Sequence, residues 1–413
     1  MQNYKQPPNP SPAGCITGSH WRWVWGFFTF MNNLEKQLAG IRPLRESDDL
    51  GSLFDLPPDW RKEWWGMPEF EMKDASPQHK ITINFMTAQD VADFAIATGI
   101  PVTTRSDTAW FPHQKPLSGE FEYDGPKIDS RYPICIPSKG RADVQKTGKA
   151  LDRMGVSYRF FVEESEGEEY IKHLGSEKVV VMPFSNLGQG SIPARNFIWE
   201  WAKERGFSRH WTIDDNITSF ARLHNNRRLC VRGGGFFQAM EDYVDRYENI
   251  VMAGPHHKGF VPDRSDTMTP YLLNSRVYSC ILLDTSLPDR WRGRYNEDTD
   301  LSLRLLKQGR CTVLFRALLM DKGTTVGVKN AKPMKGGNTD NVYNGGDHRL
   351  AFAQSLADQH PDCVKVTWKF NRWHHEVDYS AFQKNKPKLR HGVTPTAAPN
   401  NYGMELVKTK SQP

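Results

Sequence analysis

Between residues 132 and 213, short apolar runs alternate with segments of helical period. YPICIP (132–137) reads as a strand, followed by a helix that ends at Met154 with Gly155 as its stop. YRFFVE (158–163), KVVVMP (178–183) and RHWTI (209–213) read as further strands. They are separated by a second helix-like segment and by the helix IPARNFIWEWAKERG (192–206). Strands this apolar are buried on both faces, and their alternation with helices predicts a parallel, doubly wound α/β sheet with right-handed crossovers. Ligands of such sheets bind beyond the carboxyl ends of the strands. The residues that follow each strand are therefore where chemistry is expected.

The flanks are patterned differently. Residues 1–50 carry Pro7, Pro8, Pro10 and Pro12 and then an aromatic cluster without a period, and they read as a weakly ordered lead. Residues 51–112 read as a small α/β accessory unit. In it, KITINF (80–85) alternates like a strand, Thr87 caps a helix with Val91, Phe94 and Ala95 on one face, and Gly99 ends that helix before a short strand at IPVTT (100–104). Ahead of these, DWRKEWWGMPEF (59–70) holds three tryptophans, which suit either a hydrophobic clasp or stacking on a base or sugar. Residues 113–131, polar and punctuated by Gly and Pro, read as a linker. The large domain is placed at 132–383, and 384–413 is a basic tail.

Composition narrows the class without naming it. The 413 residues are 38% hydrophobic and 12% aromatic, enough to bury a sizeable core, which excludes global disorder and collagen-like repeats. The 54 Lys and Arg exceed the 48 Asp and Glu by a formal +6, a balance that suits a polyanionic partner. Six scattered cysteines form no C-x-x-C pair, which argues against a zinc ribbon or disulfide scaffold and makes the cytoplasm the expected compartment. The most apolar N-terminal stretch, Cys15 to Met31, is interrupted by Gly18, Ser19, His20, Arg22 and Gly26 and falls short of the ~20 residues of a spanning helix, so no membrane is expected.

The strand ends carry the polar chemistry. After the first strand of the large domain, Pro137 leads into Ser138, Lys139, Gly140 and Arg141, donors on a flexible turn suited to a nucleotide, although the second glycine and GK[ST] ending of a Walker loop are missing. RHWTI runs directly into Asp214, Asp215 and Asn216. Adjacent carboxylates at the end of a buried strand need a compensating charge, either a divalent metal or the amino end of a following helix. Further on, Leu301, Leu305 and Leu306 share a helical face, so Glu297 and Asp298 stand at the amino end of that helix. There they either cap it, with salt bridges to neighbouring arginines, or accept a proton from an attacking hydroxyl.

IPSKGRA, IPARNFIWEWA, WTIDDNI and YNEDTDLSLRLLKQG occur in the order found in GT-A glycosyltransferases. From about Tyr132 to about Lys329 the chain resembles the TET-associated glycosyltransferases of phages, which decorate hydroxymethylated pyrimidines in DNA. The resemblance implies a Rossmann-like GT-A fold and transfer of a sugar, from a UDP-sugar above all, to hydroxymethylpyrimidine in double-stranded DNA, 5-hydroxymethylcytosine first among these. It implies that Pro137, Ser138, Lys139, Arg141, Arg195, Asn196 and Asp214 face the nucleotide sugar and that Asp298 is the base, with Glu297 beside it orienting the acceptor. It further implies a Mn²⁺ or Mg²⁺ ion at Asp215, Asp214 or Asn216, the last standing where the usual D-x-D motif ends in Asp. Such enzymes often add a late histidine, for which His348, His374 and His375 are candidates, as are His256 and His257. The Gly-, Asn- and Lys-rich run 322–348 reads as a mobile loop able to close over the diphosphate, or as a long connection.

Acceptor contacts are sought among basic and aromatic residues. Arg227, Arg228 and Arg232 precede Gly233–Gly235, Arg292 and Arg294 precede the acidic helix, and Trp373 lies among Trp368, Lys369 and Arg372. Such mixtures suit DNA with an everted base or a solvated protein face. Transfer to protein or polysaccharide, and a decayed transferase that only binds, remain the alternative classes.

Overall fold

The computed structural model describes residues 59–111, 120–293, 295–322, 348–369, 372–396 and 398–409. Their contacts divide them into two compact units, one containing 79–111 and the other 59–78 together with 120–409.

In the first unit, α1 (Ala88–Thr98) begins with a full capping box: Thr87 Oγ1 accepts from the Asp90 amide at 3.2 Å and Asp90 Oδ2 accepts from the Thr87 amide at 2.8 Å. Gly99, at φ 66°, closes it. The strands expected at 80–85 and 100–104 do not form. Alternation supplies only a face, and without a partner strand among the described residues the backbone groups have nothing to pair with. Ile81 is accordingly 75% exposed.

The second unit is built on one large mixed sheet. Its strands are β1 (Phe121–Asp124), β2 (Ile134–Pro137), β3 (Arg159–Glu163), β4 (Val179–Met182), β5 (Arg209–Ile213), β6 (Ile217–His224), β7 (Arg227–Arg232), β8 (Ile250–His257), β9 (Tyr271–Leu273), β10 (Cys280–Asp284) and β11 (Cys311–Lys322). A two-stranded sheet of β12 (Val364–Lys369) and β13 (Arg372–Val377) follows, and β14 (Glu405–Lys408) returns to the large sheet. The order is β14-β1-β7-β6-β11-β8-β10-β5-β2-β3-β4, with β9 against β11. One half, β5-β2-β3-β4, is parallel as expected. It is wound by α2 (Lys146–Met154), α3 (Gly167–Leu174) and α4 (Ile192–Glu204). Beyond β5, antiparallel β10 is inserted before the parallel pair β8 and β11. The remaining helices are α5 (Gly235–Asp245), α6 (Glu297–Lys307) and α7 (Arg349–Gln359). The architecture is α/β and Rossmann-like, consistent with a GT-A fold.

Three segments read as peripheral belong to this unit. Within the supposed linker, β1 pairs in parallel with β7 and antiparallel with β14. Four residues with two acids carry too little pattern to be seen as a strand. The supposed tail supplies β14 and the buried Asn385, whose side-chain amide donates to the carbonyls of Leu306 at 2.8 Å and Arg310 at 2.9 Å. Trp64, expected in the accessory unit, is buried in the main core, stacked on Tyr271 with 5.8 Å between centroids, and its Nε1 donates to the Pro68 carbonyl at 2.8 Å. A buried indole with its N–H satisfied makes a clasp, worth roughly 1.5–3 kcal/mol as a large side chain removed from water. The glycine run after Arg232 serves packing too: a Cβ on Gly234 would fall 1.7 Å from the Ile128 carbonyl oxygen.

Candidate active site

Neighbouring parallel strands β2 and β5 end side by side. After Pro137 the chain turns through Ser138 and Lys139 to Gly140 at φ 66° and on to Arg141. After Ile213, Asp214 to Asn216 lead not into a helix but into β6, so they do not cap one. Thr147 on α2 fixes this bend: its hydroxyl donates to the Asp214 carbonyl at 2.6 Å and accepts from the Ile217 amide at 2.9 Å.

Each carboxylate of the pair meets its own protein cation. Asp215 is ion-paired with Arg141 and accepts from the Ser138 hydroxyl at 2.6 Å, which also meets the Tyr170 hydroxyl at 2.7 Å. Asp214 takes Arg195 Nη2 at 2.9 Å on one oxygen and Lys322 Nζ at 2.7 Å on the other. Lys322, at the end of β11, also donates to Ser279 Oγ at 2.8 Å. Burial alone would raise the Asp214 carboxyl, but Lys322 and Arg195 outweigh it and hold it at about 2. At Asp215 burial wins over Arg141 and Ser138, and the carboxyl stands above its ordinary range.

Across the cleft, α6 begins after Asn296, which is left-handed at φ 54°. Glu297 accepts from Ser191 Oγ at 3.0 Å and lies 3.8 Å from Arg195 Nη2. Burial raises its carboxyl above the ordinary range, with Arg195 offsetting only part and Asp298 adding like charge. Asp298 accepts from its neighbour's amide, Thr299 N, at 2.7 Å, which fixes its orientation at the helix start. Asp300 turns inward instead, where His360, Arg292 and Arg304 overcome its burial and hold its carboxyl at about 2. Of the three acids in the first turn, the first two line the cleft and the third anchors the helix.

Arg195 joins the two acidic pairs. It is only 5% exposed, its guanidinium lies 4.7 Å above the Trp291 ring, and its Nε and Nη1 make no hydrogen bond. It lines a cleft of about 450 Å³ together with Ser138, Arg141, Asp215, Glu297, Asp298 and Lys322. These two nitrogens are buried beside the Trp291 ring, and Nη2 is the atom that reaches the acids of the cleft.

The structure brings Pro137, Ser138, Lys139, Arg141, Arg195, Asp214, Asp215, Asn216, Glu297 and Asp298 to this one cleft. Lys139 there is held by Glu163 at 2.6 Å and Asn186 at 2.8 Å. Asn196 is not on the wall. Both ends of its amide grip the backbone of Trp291 at 2.9 Å, so it positions the ring beneath Arg195 rather than a nucleotide. Several expected acceptor residues also lie off the cleft. Arg228 is paired with Asp263 at 2.8 Å, Arg232 with Glu122 at 2.5 Å, and Arg292 with Asp300 at 3.0 Å, while Arg227 stands at the far end of the β6–β7 hairpin. Trp373 is paired across β12–β13 with Trp368. Arg294 and the loop 323–347 lie outside the described residues. Lys322, Ser279 and Arg276 line the cleft without having been singled out. Lys322 and Ser279 do stand at strand boundaries, the signal that pointed to the others.

The described donor set does not suit the expected metal. Both oxygens of Asp214 and both of Asp215 already accept from Lys322, Arg195, Arg141 and Ser138. No group of three His, Cys, Asp or Glu side chains converges among the described residues. His374 Nε2 accepts from Arg372 Nε at 2.9 Å, and His348 stacks on Phe352 at the start of α7; neither lines the cleft.

Residues 132–331 match the family model of the TET-Associated Glycosyltransferases, covering the sheet from β2 through β11 and both acidic pairs. No curated protein matches the chain. Among the described residues, no helix is long and apolar enough to cross a membrane.

Proposed function

Residues 132–331 belong to the TET-associated glycosyltransferases, making the protein a glycosyltransferase with a nucleotide-sugar donor, and from that premise we propose that it glycosylates the hydroxyl of a hydroxymethylated pyrimidine in phage DNA. The observation that carries this reading is Arg195, set between a charge-neutralised acidic pair and the Glu297–Asp298 pair in one cleft.

The donor diphosphate lies against the positive charges of Arg195 and Lys322, which both line the cleft. Fixed cations in a cleft with little water stabilise the negative charge that builds on the leaving group. Asp214, neutralised by the same two residues, keeps them aimed when the cleft is empty. The turn at Ser138 to Arg141 receives the nucleoside, for which a UDP-sugar is the proposed donor. From the other side the acceptor hydroxyl meets Asp298. As its oxygen attacks the anomeric carbon, the bond from that carbon to the diphosphate breaks, the hydroxyl proton passes to Asp298, and the nucleoside diphosphate departs. Direct displacement inverts the anomeric centre. Glu297, tied to Ser191 and Arg195, orients the acceptor and keeps a second charge near the base. No step passes through a metal, because the carboxylates that would bind one are engaged by protein cations.

The test incubates hydroxymethylcytosine-containing duplex DNA with a panel of nucleotide sugars and the purified chain, then reads the nucleosides by mass spectrometry. A glycosylated nucleoside that depends on Asp298 is the expected result. Donor hydrolysis without any modified nucleoside, or transfer only to protein or polysaccharide, overturns the reading.

A further inference from the structure

Three parallel strand ends are tied together on the wall of the cleft. Lys139 follows β2, Glu163 ends β3, and Asn186 lies in the loop after β4. Glu163 Oε2 accepts from Lys139 Nζ at 2.6 Å and from the Asn186 backbone amide at 2.8 Å, and Asn186 Oδ1 accepts from Lys139 Nζ at 2.8 Å. Asn186 takes this position with a left-handed backbone, at φ 57°. All three residues line the cleft, where Lys139 and Glu163 are partly exposed and Asn186 is exposed.

The cluster satisfies only part of its own hydrogen-bonding capacity. Among the described residues, Glu163 Oε1 and Asn186 Nδ2 make no hydrogen bond, and Lys139 uses two of the three hydrogens of its ammonium. The carboxylate is the hub, with Lys139 and Asn186 both bonded to its other oxygen. What it leaves for a ligand is therefore an acceptor flanked by two donors. A ring edge that answers this set presents acceptor, donor, acceptor, which is the imide edge of uracil and thymine: O2, N3–H and O4. Cytosine and adenine put an acceptor in the middle, facing the carboxylate, and guanine puts a second donor against one of the flanking donors. A mismatch at such a site leaves polar groups unpaired, which is what makes it selective.

The cluster also stands where a base would lie. In the order β5-β2-β3, Glu163 is two strands from Asp214 and its cations, roughly 10 Å at the spacing of neighbouring strands. That is the stretch from a diphosphate to the far edge of its base. Leu187, 50% exposed on the same wall, offers the ring an apolar contact.

We propose that Lys139, Glu163 and Asn186 select the donor by the imide edge of its base, Glu163 accepting from N3–H while Lys139 and Asn186 donate to the flanking carbonyls. This rests on the nucleotide-sugar reading above and deepens it by naming the base chemistry and the residues that read it.

Calorimetry on wild type, Glu163→Gln and Asn186→Gly tests this with UDP, dTDP, CDP, GDP and ADP, and with pyrophosphate as the probe that lacks a base. Wild type is expected to bind UDP or dTDP about tenfold or more tighter than the other three nucleotides, and the tighter of the two names the base. In Glu163→Gln the side-chain oxygen turns to Lys139 and the Asn186 amide, so its NH2 faces the base. Affinity for the preferred nucleotide is then expected to fall about 10- to 100-fold, the loss of a charge-assisted bond, with pyrophosphate bound as in wild type. Asn186→Gly keeps the left-handed backbone and its N–H to Glu163. It is expected to lower the same affinity about tenfold. Wild-type binding of the nucleotides without preference, or an unchanged preference in both variants, overturns the imide reading and leaves the transferase standing. Nucleotides bound by wild type no tighter than pyrophosphate mark failure of the donor reading itself.

Discussion

Two acidic pairs face the same cleft and are held in opposite ways. Asp214 and Asp215 each have a protein cation at hydrogen-bond distance, and Asp214 has two. Glu297 has one guanidinium at 3.8 Å and a serine hydroxyl, and Asp298 has the Thr299 amide at the start of the helix. A fully paired carboxylate has little left for proton chemistry and serves to hold its cations in place. Glu297, with burial only partly offset, is raised above the ordinary carboxylate range, whereas Asp214 is held low by its two cations. Adjacent acids therefore look alike in sequence and differ in role according to what the fold sets against them.

The comparison breaks first at Asp298. Asp298→Asn is expected to lower transfer about 10³-fold, within the range for a lost general base, with donor affinity by calorimetry unchanged; wild-type turnover in this variant removes Asp298 from the chemistry. The paired side is tested at Lys322. Lys322→Met is expected to weaken donor binding about 10- to 100-fold, the loss of a charge-assisted bond, with a smaller effect on turnover at saturating donor. Chelation sharpens the same point: transfer is expected to persist in EDTA, and a loss that Mn²⁺ restores shows that a cation displaces Lys322 from Asp214.

Proton linkage separates the pairs more gently. The Glu297 carboxyl is raised by burial, so its contribution to stability is full below the ordinary carboxyl pKa and is lost as pH rises through the raised value. Glu297→Gln is therefore expected to melt above wild type at pH 8 and level with it at pH 4. Equal melting temperatures at pH 8 would place Glu297 in a well-compensated setting like that of Asp214. The smallest effect is expected from Asn196→Ala, which removes two bonds to the Trp291 backbone. It costs about 1–3 kcal/mol of stability in a denaturant titration and loosens Arg195 without touching donor.

Much of this was legible before the fold was known. The strands from 132 to 213 are continuous apolar runs bounded by glycine and polar turns, and such runs form strands wherever a sheet can cover them. The acids after Ile213 and before Leu301 stand at element ends, where polar residues reach a ligand. The pairing was not legible. Lys322 follows Asp214 by more than a hundred positions and looked like the first residue of a loop. Asn196, next to Arg195 on α4, points to Trp291 rather than the cleft. The segments taken for linker and tail meet as β1 and β14 from opposite ends of the domain.

Local periodicity and end signals, acting over a few residues, determined the elements, the parallel half of the sheet and the positions of the acidic pairs. The tertiary structure alone decided which cation meets which carboxylate, that the metal's expected ligands are already engaged, and that β12–β13 packs against α7. Those outcomes depend on distances between residues remote in the chain. Charge and hydrogen-bond energies are set by distances of a few ångströms and by burial, and neither quantity exists until the chain is folded.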